Sequence, residues 1–407
     1  MEYIFPQKVL LSSDNVSGAE NLLKEKTLQI ALVEHDKCVM PAGSYVILDF
    51  GKELSGGARI LTSLADEGKR VRLRFGESVA ETCAELKERG ASNDHSNRDM
   101  EVVLQNYSDM QFAQTGFRFL RIDTLFDKGE IQLKTIVANV NTDRREEVGG
   151  FTCDDPLVNE IWNTAAYTIR LCLQNGYFWD GIKRDRLVWI GDLYPEMRAA
   201  QCLFENVPET LNSLVFAKEE ATLPLWMDGM PAYSLWWLII LHGEYENSGN
   251  LEAVKNFMPY IKPLLEQISA HVNADGTTSY PSNFIDWPTY DPNSQTSVKG
   301  LDSAVGIAYL TEIAIARTIE LLKACGEDVS LCEDILARLS KWDKRVTQYK
   351  QVAAIGVLAG DNSDNNKNLL LAGGARGMST FMSYPILTPS VGSRWKHWNL
   401  SYFKKHN

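Results

Sequence analysis

Fourteen residues, Trp179-Asp-Gly-Ile-Lys-Arg-Asp-Arg-Leu-Val-Trp-Ile-Gly-Asp192, concentrate the chemistry of this chain. They combine Asp180, Asp185 and Asp192 with Arg184, Arg186, Trp179 and Trp189. Acids beside arginines also make surface ion pairs at the start of a helix, and on residue types alone that reading stands level with a functional one. Indole rings and a Gly-Asp turn in the same stretch point to a pocket for a polar, ring-shaped ligand such as a sugar. An aromatic face covers the C–H side of a pyranose, while carboxylates and guanidinium groups bond its hydroxyls. A carboxyl among such neighbours can be tuned to protonate a leaving oxygen. Two further clusters share this character: Phe284-Ile-Asp-Trp-Pro-Thr-Tyr290 in a long connection, and Leu225-Trp-Met-Asp-Gly-Met-Pro231 before an apolar helix. Loops of this kind carry binding sites, although each aromatic taken alone is more often plain packing.

The rest of the sequence must position these residues. The first ~145 residues hold short β-rich runs such as Ser44–Phe50, Arg70–Phe75, Phe117–Ile122 and Ile131–Ile136. Several alternate apolar with polar, which predicts an antiparallel β-sandwich. The charged stretch Glu81–Asn97 reads as a partly helical excursion between strands. After Asn141-Thr-Asp-Arg-Arg-Glu-Glu147 the pattern becomes helical: Asp155-Pro156 supplies a cap and a first-turn proline, and apolar residues recur from Leu157 to Leu173. Further helices are expected near 191–204, 208–221, 231–247, 251–274, 302–325, 330–346, 348–359 and 365–373. Paired helices of this sort make an all-α domain.

At 407 residues, with 44% hydrophobic and 23% charged residues, the chain is an ordinary globular one with room for two or three domains. A net charge of −12 without a basic run disfavours nucleic acid and anionic membrane surfaces. Seven scattered cysteines without a CxxC pair argue against a disulfide framework or a zinc site, and read as reduced thiols in cores. The six histidines lack ligand spacing, and no metal or cofactor is expected. Calcium among the aspartates is disfavoured by the arginines beside them. The start lacks a secretory signal, which implies a cytoplasmic protein, and the apolar run Tyr233–Leu241 is too short to span a bilayer.

Asp180 to Asp192 resembles the signature of α-L-rhamnosidases of glycoside hydrolase family 78. Leu48-Asp-Phe-Gly-Lys-Glu-Leu-Ser-Gly-Gly57 looks like the β-domain of that family, Phe284–Trp287 like its Asp-Trp loop, and Gly373–Phe381 like a later helical segment. The resemblance implies an (α/α)6 toroid, the six-hairpin glycosidase fold, behind the β-sandwich. The domains expected are a β-sandwich over 1–147, a six-hairpin domain over 148–387 and an atypical tail over 388–407. The implied activity is hydrolysis of terminal α-L-rhamnosyl or related residues with inversion. Asp185 falls at the place of the general acid, commonly glutamate in the family. Asp180, Arg184 and Asp192 are implied to hold hydroxyls and tune the acid, and Trp189, Asp286 and Trp287 to form the sugar pocket.

Inversion also requires a second carboxylate, which the family supplies from a later helix pair. Beyond Tyr384 this sequence has no glutamate. Nine or ten helices are expected between 155 and 385, against twelve in a closed toroid, so the ring reads as incomplete. Glu196, Glu244 and Asp286 are the residual candidates for a base. An open ring would expose apolar faces, which a homodimer would cover, or the tail residues Trp395, Trp398 and Phe403 folding back. The rival to a working glycosidase is a sugar-binding pseudoenzyme, and a third reading is a defective product without function.

Overall fold

The computed structural model describes residues 2–63, 68–88, 98–290 and 298–388. The tail from 389, with Trp395, Trp398 and Phe403, and residues 89–97 of the charged excursion lie outside them. The chain divides into two compact units: Met1–Glu146, Thr152–Asn175 and Trp179–Leu187 form the first, and Glu147–Phe151, Gly176–Phe178 and Val188–Asn407 the second.

The first unit is built on eight antiparallel strands: β1 (Glu2–Ile4), β2 (Lys8–Ser12), β3 (Cys38–Pro41), β4 (Tyr45–Thr62), β5 (Lys69–Gly76), β6 (Asp99–Leu104), β7 (Asp109–Thr124) and β8 (Glu130–Val140). They form one hydrogen-bonded sheet, in which the long β4 and β7 serve two layers. The first half of β4, with its partner Val46↔Ile122 on β7, extends through β2 on one side and β5–β6 on the other. The second half, after a register shift between Asp49 and Leu54, pairs with β8, which carries β1 and β3. Folding the sheet at that shift makes a sandwich whose layers share one core, including Leu48, Val71 and Leu120 from one half and Ile60, Ile136 and Ala138 from the other. Phe117 meets Phe50 and Phe75 edge-on at 5.6 and 5.0 Å. Gly56 and Gly57 let β7 and β8 close on β4: a Cβ there would sit 2.0 Å from the Asn139 carbonyl oxygen and 2.1 Å from that of Phe112.

Two α-helices among the described residues belong to this unit. The short α1 (Val79–Cys83) is capped by the Ser78 hydroxyl, which accepts from the Glu81 amide, and takes in the first residues of the charged excursion. The expected cap and proline open α2 (Pro156–Cys172), with the Asp155 carboxylate accepting from the Leu157 amide at 3.1 Å.

The second unit contains α3 (Ile190–Gln201), α4 (Pro208–Glu220), α5 (Pro231–Ser248), α6 (Leu251–Ala270), α7 (Val298–Cys325), α8 (Ser330–Leu339), α9 (Lys350–Leu358), α10 (Asp364–Leu371) and α11 (Ser383–Leu387). Helices α3, α5, α7, α9 and α11 pack each on the next but one, with α4, α6, α8 and α10 between them in sequence. This is the inner-and-outer alternation of paired helices. Five inner and four outer helices are fewer than the twelve of a closed six-pair ring, among the described residues. The apolar run became α5, buried from Pro231 to Glu244 on every side, as a central inner helix must be. No helix among the described residues is long and apolar enough to cross a membrane.

Two details depart from expectation. Helix α8 ends at Leu339 rather than near 346, because the next residues are held by long-range ties: Lys344 to Glu312 at 2.8 Å, Arg345 to Asp302 at 3.3 Å, and the Gln348 amide to Asp302 at 3.1 Å. All seven cysteines are free, but Cys83, Cys153 and Cys202 are exposed rather than in cores.

Candidate functional site

In the first unit, Asp180 to Leu187 is a closed loop. The Asp180 amide donates to the Leu187 carbonyl at 3.0 Å, and the Leu187 amide returns a bond to the Asp180 carboxylate at 2.8 Å. Burial raises the Asp180 carboxyl above the usual range, Asp185 adds to this, and the Leu187 amide pulls it back down. Three side chains fasten the loop to the sandwich. Ile182 is buried against Gly116, Arg186 donates to the Gln114 carbonyl at 2.5 Å from a left-handed backbone (φ 56°), and Lys183 reaches Glu77 at 2.6 Å and Glu81 at 3.2 Å.

With Lys183 and Arg186 so occupied, the pair left facing solvent is Arg184 with Asp185, the guanidinium meeting the carboxylate at 3.1 and 3.3 Å. Arg184 is 61% exposed, so this ion pair is worth little and either member can turn to a ligand. The types of all three basic residues were legible in sequence, but not that two of them are structural.

In the second unit the candidates gather at the N-terminal ends of inner helices. Such ends present unpaired amides and positive potential, suited to carboxylates and hydroxyl oxygens. Trp189 precedes α3 in extended conformation, and Asp192 sits in the first turn. Met227–Gly229 forms a single turn before α5. Asp286 precedes the turn Trp287–Thr289, ahead of α7.

Aromatic rings join these ends edge-on: Trp189 to Tyr233 at 6.1 Å, Tyr233 to Phe284 at 6.2 Å, and Phe284 to Trp287 at 5.3 Å. The line begins at a half-buried indole and finishes at Trp287, which is 74% exposed. An indole so uncovered offers a face for stacking. Asp286, by contrast, is 2% exposed and fully used: one oxygen accepts from the Trp287 amide at 2.7 Å and the other from the Ser379 hydroxyl. It ties two loops together, and burial raises its carboxyl while the Ser379 bond opposes.

Asp228, in the Leu225–Pro231 cluster, is a functional candidate that residue types alone do not mark. Its backbone is left-handed (φ 52°, ψ 22°), and the Ile190 amide at the start of α3 donates to its carboxylate. The residue is open to solvent, yet surrounding protein desolvates its carboxyl and pushes it up to about 6. The signal in sequence was an Asp-Gly pair following Trp-Met and preceding an apolar helix. Of the other carboxylates proposed as a base, Glu244 lies thirteen residues along α5 from its start, about 20 Å by helical rise.

Two domain families match. The bacterial alpha-L-rhamnosidase concanavalin-like domain covers residues 40–140, and the bacterial alpha-L-rhamnosidase 6 hairpin glycosidase domain covers residues 146–340. The chain belongs to the bacterial α-L-rhamnosidase family, a family of glycoside hydrolases.

Solved rhamnosidases share the fold of this family member. The enzyme from Bacillus sp. GL1, of family GH78, aligns over 95% of this chain and 43% of its own, with TM-score 0.73 and 18% identity. The rhamnosidase from Klebsiella oxytoca with rhamnose bound aligns over 82% of this chain and 71% of its own, with TM-score 0.65 and 19% identity. That of Streptomyces avermitilis complexed with L-rhamnose aligns over 84% and 36%, with TM-score 0.54 and 15% identity. The chain therefore spans less than half the length of two of these three relatives. Comparison by sequence with curated proteins returns no match. At these identities the likeness is one of fold, and site roles must be argued from this chain's own residues.

Proposed function

We propose that this rhamnosidase-family chain binds a terminal α-L-rhamnosyl or related deoxy-sugar and hydrolyses its glycosidic bond with inversion. Asp185 is the proton donor to the leaving oxygen. Asp180, Arg184 and Asp192 act on hydroxyls and charge, with Trp189 and Trp287 as stacking surfaces. The observation that carries this reading is the division of labour in the 180–187 loop. Lys183, Arg186 and Ile182 anchor it, while the Arg184–Asp185 pair stays available to a ligand. Bound rhamnose in the Klebsiella and Streptomyces proteins supports the substrate class. The seven free thiols suit a reducing compartment.

One observation favours the rival, a sugar-binding chain without turnover. Inversion needs a second carboxylate about 6.5–9.5 Å from the acid. Of the candidates weighed from sequence, Asp286 bonds Trp287 and Ser379 and Glu244 sits far down α5, which leaves Glu196 on α3.

The test is hydrolysis of an aryl α-L-rhamnoside by the wild type and an Asp185→Asn variant. Loss of turnover by about 10²–10⁴-fold, with rhamnose binding kept, is expected for a general acid. An Asp185→Asn variant as fast as wild type would remove Asp185 from the chemistry. Rhamnose binding by a wild type that never turns over would establish the rival.

A further inference from the structure

The first two side chains of α9 clasp a turn that the chemistry above does not use. Lys350 donates to the Gly374 carbonyl, and Gln351 Nε2 donates to the Gly377 carbonyl at 2.9 Å. Both side chains are buried. Lys350 has no carboxylate beside it among the described residues, and desolvation holds its ammonium below the ordinary range. The helix that carries them is firmly placed. The Gln348 amide, just before α9, donates to the Asp302 carboxylate on α7 at 3.1 Å, and the helix is buried from Lys350 to Val357.

The orientation of the Gln351 amide is dictated by its surroundings. Its Oε1 is buried and meets no donor among the described residues, which costs stability. Turning the amide over would set that oxygen against the Gly377 carbonyl and lose the Nε2 bond, so the acceptor at Gly377 fixes which way it points. The same Nε2 lies 3.4 Å from the Ser379 hydroxyl oxygen, and the Met382 amide, just before α11, donates to that oxygen at 3.3 Å. A hydroxyl has two lone pairs and one proton. With both lone pairs facing donors, the Ser379 proton is left for Asp286, whose carboxylate it meets. The other Asp286 oxygen accepts from the Trp287 amide at 2.7 Å, and the Asp286 carbonyl accepts from the Thr289 hydroxyl at 2.9 Å, closing the turn that carries the exposed indole.

We propose that Gln351 is a positioning residue of the sugar site: by making Ser379 an obligate donor to Asp286, it fixes the turn that presents Trp287. Lys350 is a second clasp on the 373–379 segment. Gln351 is 1% exposed and reaches the ligand only through Trp287. The inference rests on the reading of Trp287 as a stacking surface for the sugar.

The first readout involves no sugar. Hydrogen exchange of the Trp287 amide reports its bond to Asp286. Gln351→Leu removes the donor without adding a charge and should lower that protection by about 2–10-fold, the worth of one modest hydrogen bond. Gln351→Met takes its place if the leucine variant does not fold. The second readout is a double-mutant cycle in affinity for an aryl α-L-rhamnoside. Gln351→Leu should weaken binding by a similar factor in wild type and leave it unchanged in Trp287→Ala, because the residue has no other route to the ligand. A purely structural role would cost the same in both backgrounds, and that result overturns the proposal. Trp287 protection unchanged by the substitution overturns it too, as does protection lost with affinity intact in a wild type that binds. A wild type that binds no rhamnoside sinks the sugar reading, and a fall in Trp287 protection would then still establish the link from α9.

Discussion

Gly191 should be the most position-sensitive small residue of the site. A Cβ added there meets the Tyr233 ring at 2.6, 2.9 and 3.2 Å, against a normal carbon contact of about 3.5–4.0 Å. Tyr233 is 8% exposed and packed edge-on by Trp189 and Phe284, so its ring has no free direction to yield by the ~1 Å required. Overpacking of this kind costs about 1–3 kcal/mol. Because Gly191 lies in the first turn of α3 without a positive φ, alanine also gains up to about 1 kcal/mol of helix propensity. The expected net loss for Gly191→Ala is about 1 kcal/mol, a fall in Tm of about 2–4 °C. Rhamnose affinity should drop with it, since Trp189 and Asp192 flank the substitution. Thermal unfolding in a double-mutant cycle with Tyr233→Leu isolates the clash. With the ring removed, Gly191→Ala should become neutral or stabilising. An alanine that costs the same in both backgrounds would refute the steric argument.

Trp287→Ala should leave Tm within about 1 °C, because a ring 74% exposed adds little to the fold, while weakening binding of an aryl rhamnoside in titration calorimetry. An unchanged affinity would remove Trp287 from the pocket. Ser379→Ala leaves the buried Asp286 carboxylate short of a donor and should cost about 1–3 kcal/mol in denaturant unfolding, with Asp286→Asn in the same background recovering part of it. The Asp228 carboxyl, raised to about 6, contributes stability that is full below about pH 4 and lost as pH rises through 6. Asp228→Asn should therefore gain on wild type over that window, when Tm is followed against pH. Parallel curves would show that the carboxyl is not desolvated.

Local order was written in local patterns. Alternation in Phe117–Ile122 suits a strand with polar residues on one face, and the apolar run Val46–Leu48 one buried on both; each lies in a long strand of the sandwich. Asp155-Pro156 had to begin a helix, and the unbroken apolar run from Tyr233 had to be enclosed on all sides, as α5 is. The mixture of acids, arginines and indoles at 179–192 suits a polar ligand and a set of surface ion pairs equally, and residue types alone leave the two level. Each of these signals is carried by neighbours in sequence, so periodicity and capping chemistry suffice to read it.

What the chain could not announce is which of its polar groups are already spent. Lys183 and Arg186 look like Arg184 in sequence, and only the folded sandwich puts Glu77, Glu81 and the Gln114 carbonyl in front of the first two. The sequence around Asp286 gives no sign of Ser379, ninety-three residues away, whose hydroxyl meets its carboxylate. Helix α8 stops early because Glu312 and Asp302 capture the residues beyond it. Asp228 carries no local mark of its shifted protonation, since desolvation depends on what distant segments bring around a carboxyl. Residue type and spacing thus determined which elements form and which polar and aromatic groups the 179–192 segment can offer a ligand. Burial and long-range partners, which exist only after folding, decided which side chains remain free to meet that ligand.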